Sequence, residues 1–141
     1  MLNFTFWNPT KIIFGKDQIK AIGDEIPSSA RILLTYGGGS IKANGVYDLL
    51  KDALRGRPVL EFGGIEPNPT YETLMKAVAL VRREKVDFLL AAGGGSVIDG
   101  TKFIAAAAPL TEEADPWQFL TGKTTHPRAS IRNHPDPASY R

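Results

Sequence analysis

One pattern occurs twice in this chain and limits what it can fold into: Leu33-Leu34-Thr35-Tyr36-Gly37-Gly38-Gly39-Ser40-Ile41 and Leu89-Leu90-Ala91-Ala92-Gly93-Gly94-Gly95-Ser96-Val97. Each copy is a run of strand length ending in three glycines and a serine, with a helical spacing of apolar residues beyond it. A strand apolar without alternation is one covered on both faces. Two strand-turn-helix units of this kind predict an α/β fold of Rossmann-like type, a mostly parallel sheet with helices on both faces.

The remaining segments fit that frame. Phe4 and Phe6, then Ile12 and Phe14, alternate around Asn8-Pro9 and predict an N-terminal β-hairpin. Ile19, Ile22 and Ile26 mark a short first helix, stopped by Pro27. The strand over 31–36 precedes the first glycine loop, after which Asn44 is placed to cap a helix whose face is Val46, Leu49, Leu50 and Leu54. Val59 to Phe62 reads as a strand, and Gly63 to Pro69 as a turn-rich loop. Thr70 caps the longest helix, with Leu74, Ala77, Val78 and Val81 on one face. The run over 86–92 reads as the clearest strand, and the helix over 97–107 is halted by Pro109. A turn surrounds Pro116-Trp117.

Residues 1–123 are therefore read as one dinucleotide-sized domain, a length that supports a single core. From Thr124 onward Pro127, Pro135 and Pro137 accompany two histidines and almost no apolar residues, so 124–141 is expected to be a disordered, divergent tail. The formal charge of +2 arises there, from Arg128, Arg132 and Arg141 against Asp136; the preceding residues balance. That distribution is too thin for a nucleic-acid partner. No apolar stretch approaches a membrane span, and the N-terminus has no signal-peptide pattern. The absence of cysteine excludes disulfides and thiolate chemistry and fits a cytoplasmic location.

Glycine lets a backbone take positive φ and lets a ligand approach with no Cβ between, while the next helix offers unpaired N–H groups. One such loop is as readily a tight turn as a ligand loop. Two at the carboxyl ends of strands in one open sheet favour an extended ligand with separated phosphates, the shape of a dinucleotide. Neither loop completes G-x-G-x-x-G, because Lys42 and Ile98 stand at the third glycine. Gly122-Lys123-Thr124 imitates the end of a P-loop but has Trp117 where the first glycine belongs.

Phe14-Gly15-Lys16, Gly63-Gly64-Ile65-Glu66-Pro67-Asn68-Pro69 and Gly93-Gly94-Gly95-Ser96-Val97-Ile98-Asp99-Gly100-Thr101-Lys102 together resemble the iron-containing alcohol dehydrogenases, in particular their NADPH-dependent aldehyde reductase and butanol dehydrogenase branch. The resemblance runs from about residue 3 to 120 and implies the nucleotide-binding domain of that family. It implies hydride transfer between NADP(H) and small alcohols or aldehydes, the carbonyl being polarised by Fe²⁺ or Zn²⁺. By the same resemblance Gly37, Gly38, Gly39 and Ser40 face the adenosine ribose, where NAD-specific members carry an acid. Lacking that acid, the loop leaves room for a 2′-phosphate, so NADP is expected over NAD. Gly94, Gly95 and Ser96 are implied at the pyrophosphate, Asp99 near the nicotinamide end, and Asn68 and Pro69 on the adjacent wall.

Asp99 is equally well an acid in the first turn of a helix, and Lys102 is better read as structural or as an ion-pair partner than as a catalyst. No catalytic residue is assigned. The family's metal ligands, one aspartate and several histidines, lie in a helical domain that has no counterpart here, so no metal is expected on this chain. His126, His134 and Asp136 lack the rigid surroundings that ligation needs. Three functions stay open: a cofactor domain without metal-dependent turnover, a non-enzymatic nucleotide-binding module that self-associates, and a metal-independent reductase. Homodimers or larger homo-oligomers are expected, since the family's amino-terminal strands contribute to dimers.

Overall fold

The computed structural model describes residues 8–110 and 115–121. Residues 8–14 enter no strand; the side-chain Oδ1 of Asn8 instead accepts hydrogen bonds from the backbone N–H and hydroxyl of Thr10. The expected hairpin's first arm lies outside the described residues. Its second arm leaves Ile12 and Phe14 82% and 95% exposed, because no neighbouring strand among the described residues pairs with it.

A 3-10 turn at Gln18–Ala21 runs into α1 (Ile22–Glu25), and β1 (Ile32–Tyr36) follows. The first glycine loop leads to a single helical turn, α2 (Ser40–Ala43), then α3 (Val46–Ala53) and β2 (Val59–Phe62). The Asn44 side chain accepts from Val46 N–H at 3.1 Å, as its position predicts, while Gly45, at φ 78°, is the residue that turns the chain into α3. α4 (Tyr71–Arg83) begins at Thr70, whose hydroxyl accepts from Thr73 N–H, and buries the four residues its periodicity selects, Leu74, Ala77, Val78 and Val81. β3 (Phe88–Ala92), α5 (Gly95–Ala107) and a last turn, α6 (Trp117–Leu120), complete the order.

The sheet runs β2-β1-β3, every pair parallel. β1 is central and almost wholly buried, whereas β3, the more apolar run, is an edge strand among the described residues and half-buried. Side chains alternate across β1 and divide the core. Leu33 packs with Leu74, Val78, Val81 and Ile104 of α4 and α5 on one face. Ile32 meets Ile26 and Leu54, and Leu34 meets Ile41 and Leu50, on the opposite face. Helices therefore cover both faces.

Two arginines close the ends of elements. Arg57 donates to the carbonyls of Gly23, Ile26 and Pro27, fixing the end of α1. Arg82 donates to the carbonyls of Ala107, Ala108 and Leu110 at 2.9–3.0 Å, capturing carbonyls that the end of α5 leaves without intrahelical partners.

Candidate functional site

The register decides where the glycine loops go. Tyr36 pairs with Ala92, the last residues of β1 and β3, so Gly37 and Gly93 leave the sheet side by side. Thr35 pairs with Phe62, which brings the third loop, Gly63 to Pro69, alongside the first. Backbone bonds continue that contact beyond the strands: Gly64 N–H donates to Gly37 O at 3.1 Å and Ile65 N–H to Tyr36 O at 3.2 Å. Asn68 N–H then reaches Ser96 Oγ at 3.3 Å, tying the third loop to the second. Three loops thus meet at the carboxyl edge of the sheet, the position at which open α/β sheets hold ligands.

The glycines within them fall into two kinds. At Gly37 an added Cβ would lie 3.2 Å from Ile65 O, and at Gly93 it would lie 2.7 Å from Val97 Cγ2; these two allow close packing of loop and helix on the sheet. At Gly38, Gly39, Gly94 and Gly95 an added Cβ would meet nothing within 4 Å, so their bare backbone faces open space. Gly39 also takes φ 105°, which side chains disfavour. α5 starts two residues earlier than its apolar pattern indicates, because Val97 and Ile98 N–H both turn back to Gly94 O. The N–H groups of Gly95 and Ser96 precede that first bond and have no intrahelical acceptor, the arrangement that suits a helix start to an anion.

Asn68 adopts φ 53° and is exposed, while Pro69 is half-buried against α5, its Cγ 3.5 Å from where a Gly100 Cβ would stand. Ser40 is the exposed first residue of α2. Asp99 sits apart from this meeting of loops in one respect: its side chain is 75% exposed and pairs with Lys102 at 3.4 Å.

Several supporting groups escaped the sequence reading. Thr35 and Thr101, both buried, bring their hydroxyls to 2.7 Å, and Thr101 donates to Val97 O at 2.7 Å. This pair joins β1 to the first turns of α5 directly beneath the loops. Its signal was a lone threonine in an otherwise apolar strand. Glu66 Oε1 accepts from Thr70 N–H and from the hydroxyls of Thr70 and Thr73, each at 3.0 Å. Chiefly through the Thr70 N–H, this holds the Glu66 carboxyl down at about 2 and fastens the third loop to the start of α4. Tyr47 and Tyr36 both donate to Glu61, at 2.6 and 3.2 Å, and the Glu61 carboxylate pushes the Tyr47 phenol up to about 12.

The iron-containing alcohol dehydrogenase sequence profile matches residues 9–134. The chain belongs to that family. It is 63% identical over 120 residues to the NADPH-dependent aldehyde reductase YqhD of Escherichia coli, and 50% identical over 121 residues to NADP-dependent alcohol dehydrogenase 3 of Entamoeba histolytica; these alignments cover 85% and 84% of this chain and 31% of each relative. Among solved structures, that of NADH-dependent butanol dehydrogenase A from Thermotoga maritima superposes with a TM-score of 0.84 at 45% identity, covering 90% of this chain and 32% of that one. The chain spans about a third of the length of the curated relatives it matches.

The described residues fit a dinucleotide. Open glycine backbone and unpaired N–H groups converge at one edge of the sheet. By contrast, no group of three or more His, Asp or Glu among the described residues is gathered to hold a metal ion. No helix among them is long and apolar enough to cross a membrane. His126 and His134 lie outside the described residues, as does Gly122-Lys123-Thr124.

Proposed function

We propose that this chain is an NADP(H)-binding domain of an alcohol dehydrogenase or aldehyde reductase that acts on small alcohols and aldehydes. The observation that carries the reading is the convergence of three glycine-rich loops at the carboxyl ends of adjacent parallel strands. When bound, the coenzyme supplies or accepts a hydride at its nicotinamide.

The chain's own residues bind and orient it. Gly94, Gly95 and Ser96 hold the pyrophosphate, because their backbone is open and the first N–H groups of α5 await acceptors. Gly37, Gly38, Gly39 and Ser40 receive the adenosine ribose and its 2′-phosphate; the loop presents no acid to repel it. Asn68 and Pro69 form the wall between the loops, and Asp99 lies toward the nicotinamide end, on the exposed side of α5. Metal-dependent turnover then requires ligands from beyond the described residues.

The test is a fluorescence titration of the purified chain with NADPH, paired with an assay of aldehyde reduction in added Fe²⁺ or Zn²⁺. Saturable binding without metal-stimulated turnover is expected; turnover by the pure chain in added metal would overturn the second half of the reading.

A second reading, self-association, is favoured by the exposed apolar residues of the amino-terminal segment. Ile13, Phe14, Ile19, Ile22 and Leu49 line a depression of about 370 Å³ to which residues 37–39 and 93–95 contribute nothing, and apolar surfaces of this kind mark interfaces. Light scattering should show a homodimer or larger species, and a monodisperse monomer would remove this reading.

A further inference from the structure

We infer that Lys42 is the residue that distinguishes a phosphate from a hydroxyl at the ribose 2′ position, held for that task on a shelf of two tyrosine rings. The inference rests on the NADP(H)-binding reading above and assigns the specificity to a side chain rather than to the mere absence of an acid.

Lys42 stands two residues after Ser40, in the turn that follows the first glycine loop, and its N–H bonds back to Gly39 O at 3.0 Å. Its ammonium lies 5.2 Å from the centroid of the Tyr36 ring and 4.9 Å from that of Tyr47. Those rings meet edge to face, with centroids 6.4 Å apart. Ring faces attract a cation without neutralising it, and no acid among the described residues forms an ion pair with Lys42. The ammonium is thus held over the two rings, in the turn that follows the loop.

The nearby acid is occupied. Glu61, on β2, accepts from the phenols of Tyr47 and Tyr36, and Lys51 approaches it to 4.0 Å. These contacts hold the carboxylate in place and offset its charge, so it is poorly placed to compete for the ammonium. The same two tyrosines therefore do two things: their faces seat the cation and their hydroxyls engage the anion. The position of the shelf follows from the backbone. Tyr36 is the last residue of β1, immediately before Gly37, and its ring covers Gly63 at the end of β2, where a Cβ would come within 2.5 Å of it. Any side chain at residue 63 would displace the shelf.

A phosphate monoester carries between one and two negative charges near neutral pH, and a ribose hydroxyl carries none. One positioned ammonium therefore discriminates between them, and its contribution should weaken as salt rises. The experiment titrates the full chain with NADPH and with NADH, following nicotinamide fluorescence, for the natural protein, Lys42→Met and Lys42→Arg. Lys42→Met is expected to weaken NADPH about tenfold to a hundredfold, the range for loss of one charge-assisted hydrogen bond, and to leave NADH within about twofold. It should also flatten the salt dependence of NADPH binding. Lys42→Arg, which keeps the charge over the rings, should retain most of the preference. Equal losses for both coenzymes, or an unchanged NADPH affinity in Lys42→Met, would overturn the inference while leaving coenzyme binding intact. Failure of the natural chain to bind either coenzyme would instead bring down the functional reading, and this inference with it.

Discussion

Two glycines in the second loop, Gly93 and Gly95, are expected to respond in opposite ways to the same substitution. A methyl group at Gly93 would stand 2.7 Å from Val97 Cγ2 and 3.0 Å from Val97 Cβ. Val97 is 5% exposed, and a valine in a helix has one strongly preferred rotamer, so it cannot swing aside. The first turn of α5 must then move off the end of β3. Overpacking of this sort costs about 1–3 kcal/mol, and the stiffer unfolded chain returns about 0.4–1 kcal/mol. Gly93→Ala should therefore lose about 1–2 kcal/mol, on the order of 5 °C in Tm for a chain of this size.

At Gly95, the first residue of α5, a methyl group meets nothing within 4 Å and φ is not positive. Alanine there should leave stability unchanged or raise it by up to about 1 kcal/mol. The methyl group would nevertheless occupy the open side of the loop, and NADPH affinity is expected to fall about tenfold or more, corresponding to about 1.4 kcal/mol. Urea midpoints and NADPH titrations on the two variants supply the four numbers needed. If Gly95→Ala binds NADPH like the natural chain, the open backbone is not a ligand surface. If both variants lose the same stability, the division into packing glycines and open glycines is wrong.

Two further outcomes follow from the groups around the loops. Thr101→Val removes the partner of the buried Thr35 hydroxyl, leaving it only Leu90 O at 3.4 Å; a loss of about 1–3 kcal/mol is expected, and the double variant Thr35→Val/Thr101→Val should recover part of it in urea unfolding. Glu66 has a folded pKa of about 2 against an ordinary 4.5, so its ionised form stabilises the fold above pH 4.5, and that contribution disappears as pH falls toward 2. Thermal melts of the natural chain and Glu66→Gln should accordingly differ near neutral pH and converge between pH 4.5 and 2; a gap that persists at pH 2 would show that the charge is not the cause.

Much of this architecture was legible because periodicity and punctuation agree. α4 announces itself through Thr70 and its four buried apolar residues, and β1 and β3 through apolar runs that end in glycine. Boundaries were less legible where hydrogen bonds override composition. Gly94 and Gly95 look like loop, yet the helix starts there because Gly94 O already accepts from two amides. Val86 looks like strand, yet its N–H finishes the preceding helix by donating to Val81 O. The single turn of α2 was invisible because Gly39 and Gly45, both with positive φ, confine it to four residues.

At the site, the loops could be read one at a time but their meeting could not, since it depends on which strands are neighbours. Apolar content made β3 the clearest strand to read, whereas the pairing puts β1 in the middle among the described strands. The Lys42 shelf and the Glu66 latch join residues from different elements through side-chain directions, which spacing along one segment does not reveal.

Pairing Tyr36 with Ala92 has an outcome for anyone reshaping this scaffold. A slip of one position between β1 and β3 would turn every side chain of one of them to the wrong layer, and a slip of two would offset the twin bends by about 7 Å along the strand direction. The span between the two bends is therefore quantised by the ladder: it can be retuned by lengthening a bend, but not by sliding the strands a little.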